Sequence, residues 1–184
     1  ITKKMIARFW DENSAGFYFT AEENNELFLR QKKTEDSAIP AANSVASYNL
    51  LRLSHLLDDP DLREKVEKML ATFSSEIAAA PASHIFMVLA YQYLEKPFKE
   101  INIYGRQDDP KVKKLLDYLR NNYKPELLLK INYPAEKTEF SLCSNFVCGE
   151  RTADLDHIIS KLLINLLIFR NNGILIKISK MGDA

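Results

Sequence analysis

Apolar residues recur at helical spacing through the first half of the chain and switch toward a two-residue alternation after position 97. Ala46, Leu50, Leu53 and Leu57 fall at intervals of four, three and four, which puts them on one face of a helix entered at Pro40. Proline suits a first helical turn, where its missing N–H leaves no bond unmade. The LDDPD turn ends that helix, and Leu62, Val66, Met69, Phe73 and Ile77 repeat the stripe in a second. A third helix, over about 82–94, is apolar nearly all round, the pattern of a helix enclosed by neighbours.

Residues 1–10 read as the end of a helix, stopped by the Asp11-Glu12-Asn13-Ser14-Ala15-Gly16 turn. Phe17, Tyr18 and Phe19 suit a short strand. Positions 20–39 are polar apart from Leu27, Phe28 and Leu29, and predict a long loop crossing the helix ends. Beyond Pro97, Ile101 and Ile103 with Gly105 read as a strand and its exit, Val112, Leu115, Leu116 and Leu119 as a helix, and 127–131 as another strand, together a β-α-β unit. Residues 140–147 add a strand and 154–169 a last helix. The expected division is therefore helical hairpins over 1–97, a small β-α-β element with a closing helix over 98–169, and a tail over 170–184 whose ILIKIS stretch alternates like an edge strand.

Composition narrows the function classes. At 184 residues and 46% hydrophobic, the chain can bury a real core. Twenty-five basic residues balance twenty-five acidic ones, so no electrostatic footprint favours nucleic acid or an anionic membrane. The longest apolar run, 158–169, is interrupted by Lys161 and Asn165 and falls short of the roughly 20 residues needed to span a bilayer. Ile1 stands where a full-length chain has Met, and no signal-peptide pattern follows it, so the expectation is a piece of a longer, cytoplasmic protein.

Four stretches carry a family resemblance. Arg30, Lys32, Asp36, Ala38, Pro40, Asn43, Ser44 and Val45 form an R-x-K, D-x-A-x-P-x-x-N-S-V pattern. Upstream is FWDENSAGFYFT (9–20), and downstream are EINIYG (100–105) and CSNFVCGERTADLDHIISKLL (143–163). In this order they resemble the spermatogenesis-associated, thioredoxin-domain-containing proteins, whose helical part looks like the six-hairpin toroids of sugar epimerases and glycosidases. The chain departs from the family at Ala41-Ala42, where Ser-Gly is usual, and at Glu150-Arg151, where Pro usually follows the second Cys. The resemblance implies the last third of a longer protein: a mainly α fold, a partial α/α toroid of helical hairpins with a small α/β element near the C-terminus. It also implies an N-terminal thioredoxin-like domain as partner, a carbohydrate-like small molecule as ligand, and self-association of the isolated piece, whose hairpins lack neighbours.

Two constellations carry possible chemistry. The first is Trp10, Asp11, Lys32 and Asn43 as ligand-binding residues with Asp36 and Arg30 as catalytic ones. Aromatic faces beside carboxylates and amides suit carbohydrate; Asp36 is an acceptor or general base, and Arg30 a fork for carboxylate or phosphate. The same residues also admit a structural reading, in which Arg30 pairs with Asp36 to pin the loop and Asn43 caps the following helix. The related epimerases imply paired histidines, but His55, His84 and His157 all lie outside the matched loop motifs. His55 reads as a solvent-edge residue. His84, at the start of the most apolar helix, is the better candidate. The second constellation is Cys143 and Cys148, read as small buried hydrophobes, a disulfide or redox pair, or metal ligands. Residues five apart on a straight strand point to opposite faces, so a pairing needs a turn, which Ser144-Asn145 can supply. The spacing gives no metal centre and no cofactor.

Overall fold

The computed structural model describes residues 1–21 and 29–162. They form a mainly helical structure with one small four-stranded sheet. Helices α1 (Thr2–Phe9), α2 (Ala42–Leu57), α3 (Pro60–Thr72) and α4 (Ser74–Ala79) are followed by a 3₁₀ turn at Pro81–Ser83 and by α5 (Ile85–Glu95). Then come β1 (Lys99–Tyr104), α6 (Pro110–Asn121), β2 (Leu127–Asn132), β3 (Glu139–Ser144) and β4 (Val147–Cys148). A further helix begins at 155 and continues to 162, the last described residue. Its expected extension to 169 and the tail lie outside the described residues.

Asp-Pro pairs start two of the helices. Asp59 accepts the Asp61 N–H at 3.1 Å ahead of Pro60 in α3, and Asp109 accepts the Lys111 N–H at 2.7 Å ahead of Pro110 in α6. Each supplies an acceptor for an N–H that the helix itself leaves unpaired, and each proline sits where no N–H is needed. Asp58 ends α2 in the left-handed conformation at φ 52°, so one residue reverses the chain between α2 and α3.

The chain forms two compact units that interleave along the sequence. The first comprises Ile1–Glu100, Pro125–Lys130 and Cys143–Val147. In it α2 packs against both α3 and α5. Leu50, Leu51, Val66, Met69, Met87, Ala90 and Phe98 are almost wholly buried there. The second comprises Ile101–Lys124, Ile131–Leu142 and the chain from Cys148 onward. Ile101, Ile103, Val112, Leu115, Phe140 and Ile158 are among its buried residues.

The strands hydrogen-bond in the order β2-β1-β3-β4, an open sheet with β2 and β4 at its edges. The Lys99 N–H donates to the Glu126 carbonyl at 2.9 Å, where both strands begin, so β1 and β2 run parallel and α6 is their crossover. Gly105, just past β1, has φ 131°, and a Cβ there would meet Thr138 Oγ1 at 2.5 Å, just ahead of β3. β1 and β3 are therefore antiparallel.

Four expectations need correction. The stripe expected to run to Ile77 in one helix breaks at Phe73 into α3 and α4. Phe17–Phe19 form no strand; Phe17 makes only an isolated antiparallel bridge to Trp10. The face of α2 expected through Leu53 and Leu57 is displaced: Ser47, Leu50, Leu51, Ser54 and His55 are buried, while Leu57 is 62% exposed. This happens because α2 is flanked by two helices, so its buried arc is wider than one stripe. Finally, α5 is not enclosed. Met87, Ala90 and Tyr93 are buried, but Ile85 and Tyr91 are exposed.

Phe98 is the tightest aromatic contact in the first unit, stacked on Tyr93 at 4.1 Å and approached edge-on by Tyr48 at 6.2 Å. Phe98→Ala removes a fully buried ring and is expected to destabilise the chain by about 3–5 kcal/mol in urea unfolding, a cost typical of a phenylalanine cavity. A loss under about 1 kcal/mol would show that this ring is not part of the core.

Candidate functional site

The residues of the first constellation fold as a polar clasp on the helices of the first unit. The Asp11–Gly16 turn brings Trp10 back onto Phe17, their rings edge-to-face at 5.1 Å. Gly16 sits at φ 81°, and a Cβ there would meet Phe73 Cζ at 2.8 Å, so glycine is required by both backbone and space. Asp11 is buried in this turn. Its Oδ2 is 2.7 Å from Lys32 Nζ and accepts the Tyr18 and Ser14 hydroxyls at 2.7 Å each, while Oδ1 accepts the Asn13 N–H at 2.9 Å. The Lys32 hydrogen bond holds the Asp11 carboxyl well below the usual carboxylate range; burial opposes this, and the Tyr18, Ser14 and Asn13 donors add to it. The same carboxylate, as acceptor from Tyr18, raises the Tyr18 phenol above its ordinary value. Lys32 also donates to Ser14 Oγ and to the Ala15 carbonyl.

Arg30 grips backbone. Its guanidinium donates to the Thr20 carbonyl at 2.9 Å and the Arg8 carbonyl at 3.3 Å, and lies 4.0 Å over the Tyr18 ring. The expected Arg30–Asp36 pairing is therefore replaced: Asp36 accepts the Ala41 N–H at 2.9 Å and the Phe86 N–H at 3.1 Å, one oxygen each, at the beginnings of α2 and α5. Asn43 does not cap α2. The residue preceding that helix is Ala41, and Asn43 lies within the first turn, buried. Its amide accepts the Phe17 N–H at 2.6 Å and donates to the Phe17 carbonyl at 2.8 Å and the Lys33 carbonyl at 3.0 Å. Ser44 Oγ completes the attachment by donating to the Thr34 carbonyl at 3.0 Å.

The histidines behave differently from the expectation. His84 is buried, with Nδ1 2.8 Å from the Ala80 carbonyl and Nε2 3.3 Å from Thr34 Oγ1, so both ring nitrogens are engaged. His55, expected at the solvent edge, is wholly buried, because α2 carries it inward beneath Phe98 and Phe146. Its Nδ1 lies 3.0 Å from Glu100 Oε1. Glu100 Oε2 is 2.9 Å from Lys130 Nζ, which is also 2.6 Å from Asp58. Periodicity missed this network because Glu100 and Lys130 are distant in sequence; its one local signal is a charged residue amid the apolar alternation of β1.

Neither cysteine is free: Cys143 and Cys148 are each disulfide-bonded. The required turn is present one residue later than expected: Asn145 and Phe146 both have positive φ, 49° and 63°, the pattern of a two-residue type I′ hairpin between β3 and β4. Beyond that turn the Gly149 N–H donates to the Leu142 carbonyl at 2.9 Å. A bulky residue such as Phe146 resists the left-handed region, at a cost on the order of 1–3 kcal/mol. Cys143 is buried and Cys148 exposed. Among the described residues no cluster of His, Cys, Asp or Glu could hold a metal ion, and no helix is long and apolar enough to cross a membrane.

The fold and clasp thus define a mainly helical segment with a small open sheet, fastened by side chains from a long polar connector. The chain matches no protein-family model. It is homologous in sequence to spermatogenesis-associated protein 20: the rat protein is 34% identical over 122 residues, 66% of this chain and 16% of the rat protein. The human protein is 33% identical over 122 residues, with the same two shares. An uncharacterized protein of Caenorhabditis elegans is 30% identical over 90 residues, 49% of this chain and 12% of its own length. The chain therefore spans less than a fifth of the length of these relatives.

The depressed Asp11 carboxyl makes a signed prediction. A carboxyl with a lowered folded-state value adds stability that is present above its unfolded value of about 3.9 and is lost as pH falls through the folded one. Asp11→Asn is expected to lower stability at neutral pH and to flatten the acid loss below about pH 5, read as urea midpoints at several pH values. An unchanged acid slope would contradict the assignment.

Proposed function

We propose that this chain is part of the helical ring of a larger, thioredoxin-domain-containing protein, and that its polar connector is a structural fastening instead of a catalytic loop. The carrying observation is the destination of the polar atoms: both Asp36 oxygens, the Asn43 amide and the Asp11 carboxylate are engaged by the chain itself. Asp36 presents each of its oxygens to a backbone N–H, which turns the carboxylate toward the beginnings of α2 and α5. The noncatalytic scaffold is thus the better-supported reading, with an N-terminal thioredoxin-like domain as the partner it accompanies.

The exposed apolar residues of α5, Ile85 and Tyr91, support the partial α/α toroid. In a ring the next hairpin would cover them, and in the isolated piece they favour self-association. The competing reading keeps the carbohydrate-like ligand, with Asp36 and Arg30 as its reactive pair and Trp10, Asp11, Lys32 and Asn43 around it. The two separate cleanly by mutation. Asp36→Ala in the full-length protein is expected to cost about 1–3 kcal/mol of stability, through two unpaired N–H groups, and to leave saccharide binding by calorimetry unchanged. Loss of saccharide binding at unchanged thermal stability would refute the scaffold and establish the ligand reading.

A further inference from the structure

Helix α2 carries a second stripe, on the side turned away from its buried arc. Val45, Tyr48, Arg52 and Leu56 follow one another at three, four and four residues, and each is half-buried. A helix face meant for water alone carries charges and amides, whereas three of these four are apolar or aromatic. The stripe continues onto α5. There the Tyr48 ring meets the half-buried Phe86 ring edge-on at 6.2 Å, and Ile85 beside it is exposed. Asp36 ties the beginnings of both helices together, and Ile39, between Asp36 and Ala41, adds an exposed apolar side chain at that corner. All of these residues belong to the first unit.

Arg52 is the one charge in this stripe. Its guanidinium lies 5.5 Å from the centroid of the Tyr48 ring and 5.7 Å from that of Phe98, and Nη1 donates to Tyr48 Oη at 3.1 Å. Arg63, Arg106 and Arg120 each meet a carboxylate at 3.1 Å or less. Among the described residues Arg52 meets none. A guanidinium oriented by aromatic faces presents its remaining N–H donors as a fork, the shape that a carboxylate fits. Arginine and tyrosine, ringed by apolar contacts that exclude water, are also the side chains that dominate the centres of protein interfaces.

We propose that this face of α2 and α5 is the seat of an acidic amphipathic helix, whose apolar side lies on Ile39, Val45, Tyr48 and Ile85 and whose Asp or Glu grips Arg52. The occupant is a helix of the longer protein, so the inference rests on the reading of this chain as part of a helical ring. The stripe from Val45 to Leu56 is about 16 Å long, three helical turns, which suits an apolar helix face laid along it. Charge complementarity makes that helix acidic. An apolar cover without a carboxylate would take the Arg52 charge out of water unpaired, which is strongly unfavourable.

The test compares the longer protein with the 184-residue chain diluted to monomer, by phenylglyoxal modification of arginine and hydroxyl-radical oxidation, both mapped by peptide mass spectrometry. Arg106 and Arg120 are exposed and serve as references, and Tyr91 reports the ring contact separately. Modification of Arg52 should be about tenfold or more slower in the longer protein, with the references unchanged. Arg52→Glu in the longer protein should return oxidation of Tyr48 and Ile85 to the rate of the isolated chain while helical circular dichroism is kept. Arg52→Gln, which removes the charge alone, gives the same readout if Arg52→Glu unfolds the protein. Equal Arg52 rates in the two proteins overturn the proposal. If Tyr91 is then still protected, the ring reading stands without it; if Tyr91 reacts equally, the ring reading falls as well. Slowed Arg52 together with Ile85 still covered in the variant overturns the acidic chemistry of the occupant.

Discussion

The side-chain amide of Asn43 fixes the amino-terminal turn to the helical core. From the first turn of α2 it accepts the Phe17 N–H and donates to the Phe17 carbonyl, pairing with that residue as a neighbouring strand would, and it spares a second hydrogen for the Lys33 carbonyl. The two bonds to Phe17 are buried, where an unpaired amide or carbonyl costs about 1–3 kcal/mol. Three backbone groups from two separate segments are thus satisfied by one residue. Only a side chain with both a donor and an acceptor on one planar group can serve Phe17 twice. Gly16 against Phe73, the Trp10–Phe17 contact and the Asp11–Lys32 pair all depend on the turn being held in this position.

That constraint changes how the polar motif reads. Charged and amide residues grouped around an aromatic turn look like a ligand site when only their types are known. Once their bonds are traced, Asp36 ties together the beginnings of α2 and α5, Lys32 neutralises Asp11 inside the turn, and Arg30 collects backbone carbonyls. Similarity to the rat spermatogenesis-associated protein 20 covers 122 residues, 66% of this chain.

Much of this was legible from local chemistry. The LDDPD turn and the stripe from Leu62 announced α3, the spacing of Val112, Leu115, Leu116 and Leu119 announced α6, the change of period after Pro97 announced the β-α-β unit, and the cysteine spacing announced a turn before any pairing. What could not be read were partners set by tertiary contact. His55 looked peripheral because a single stripe through Leu50 and Leu57 was assumed, whereas α2 lies between α3 and α5 and buries a broader arc. Asn43 looked like a cap because amides favour helix starts, but its partner lies 26 residues upstream. The break at Phe73 left no mark in the pattern, since Phe73 and Ile77 keep helical spacing across it.

The central claim is most directly tested by hydrogen exchange at the Phe17 amide in the wild-type chain and in Asn43→Ala, alongside their urea unfolding. The account predicts near-global protection of that amide in the wild type, its loss in the variant, and a destabilisation of about 3 kcal/mol or more from the groups left unpaired. Retained protection with a change within about 0.5 kcal/mol would contradict it.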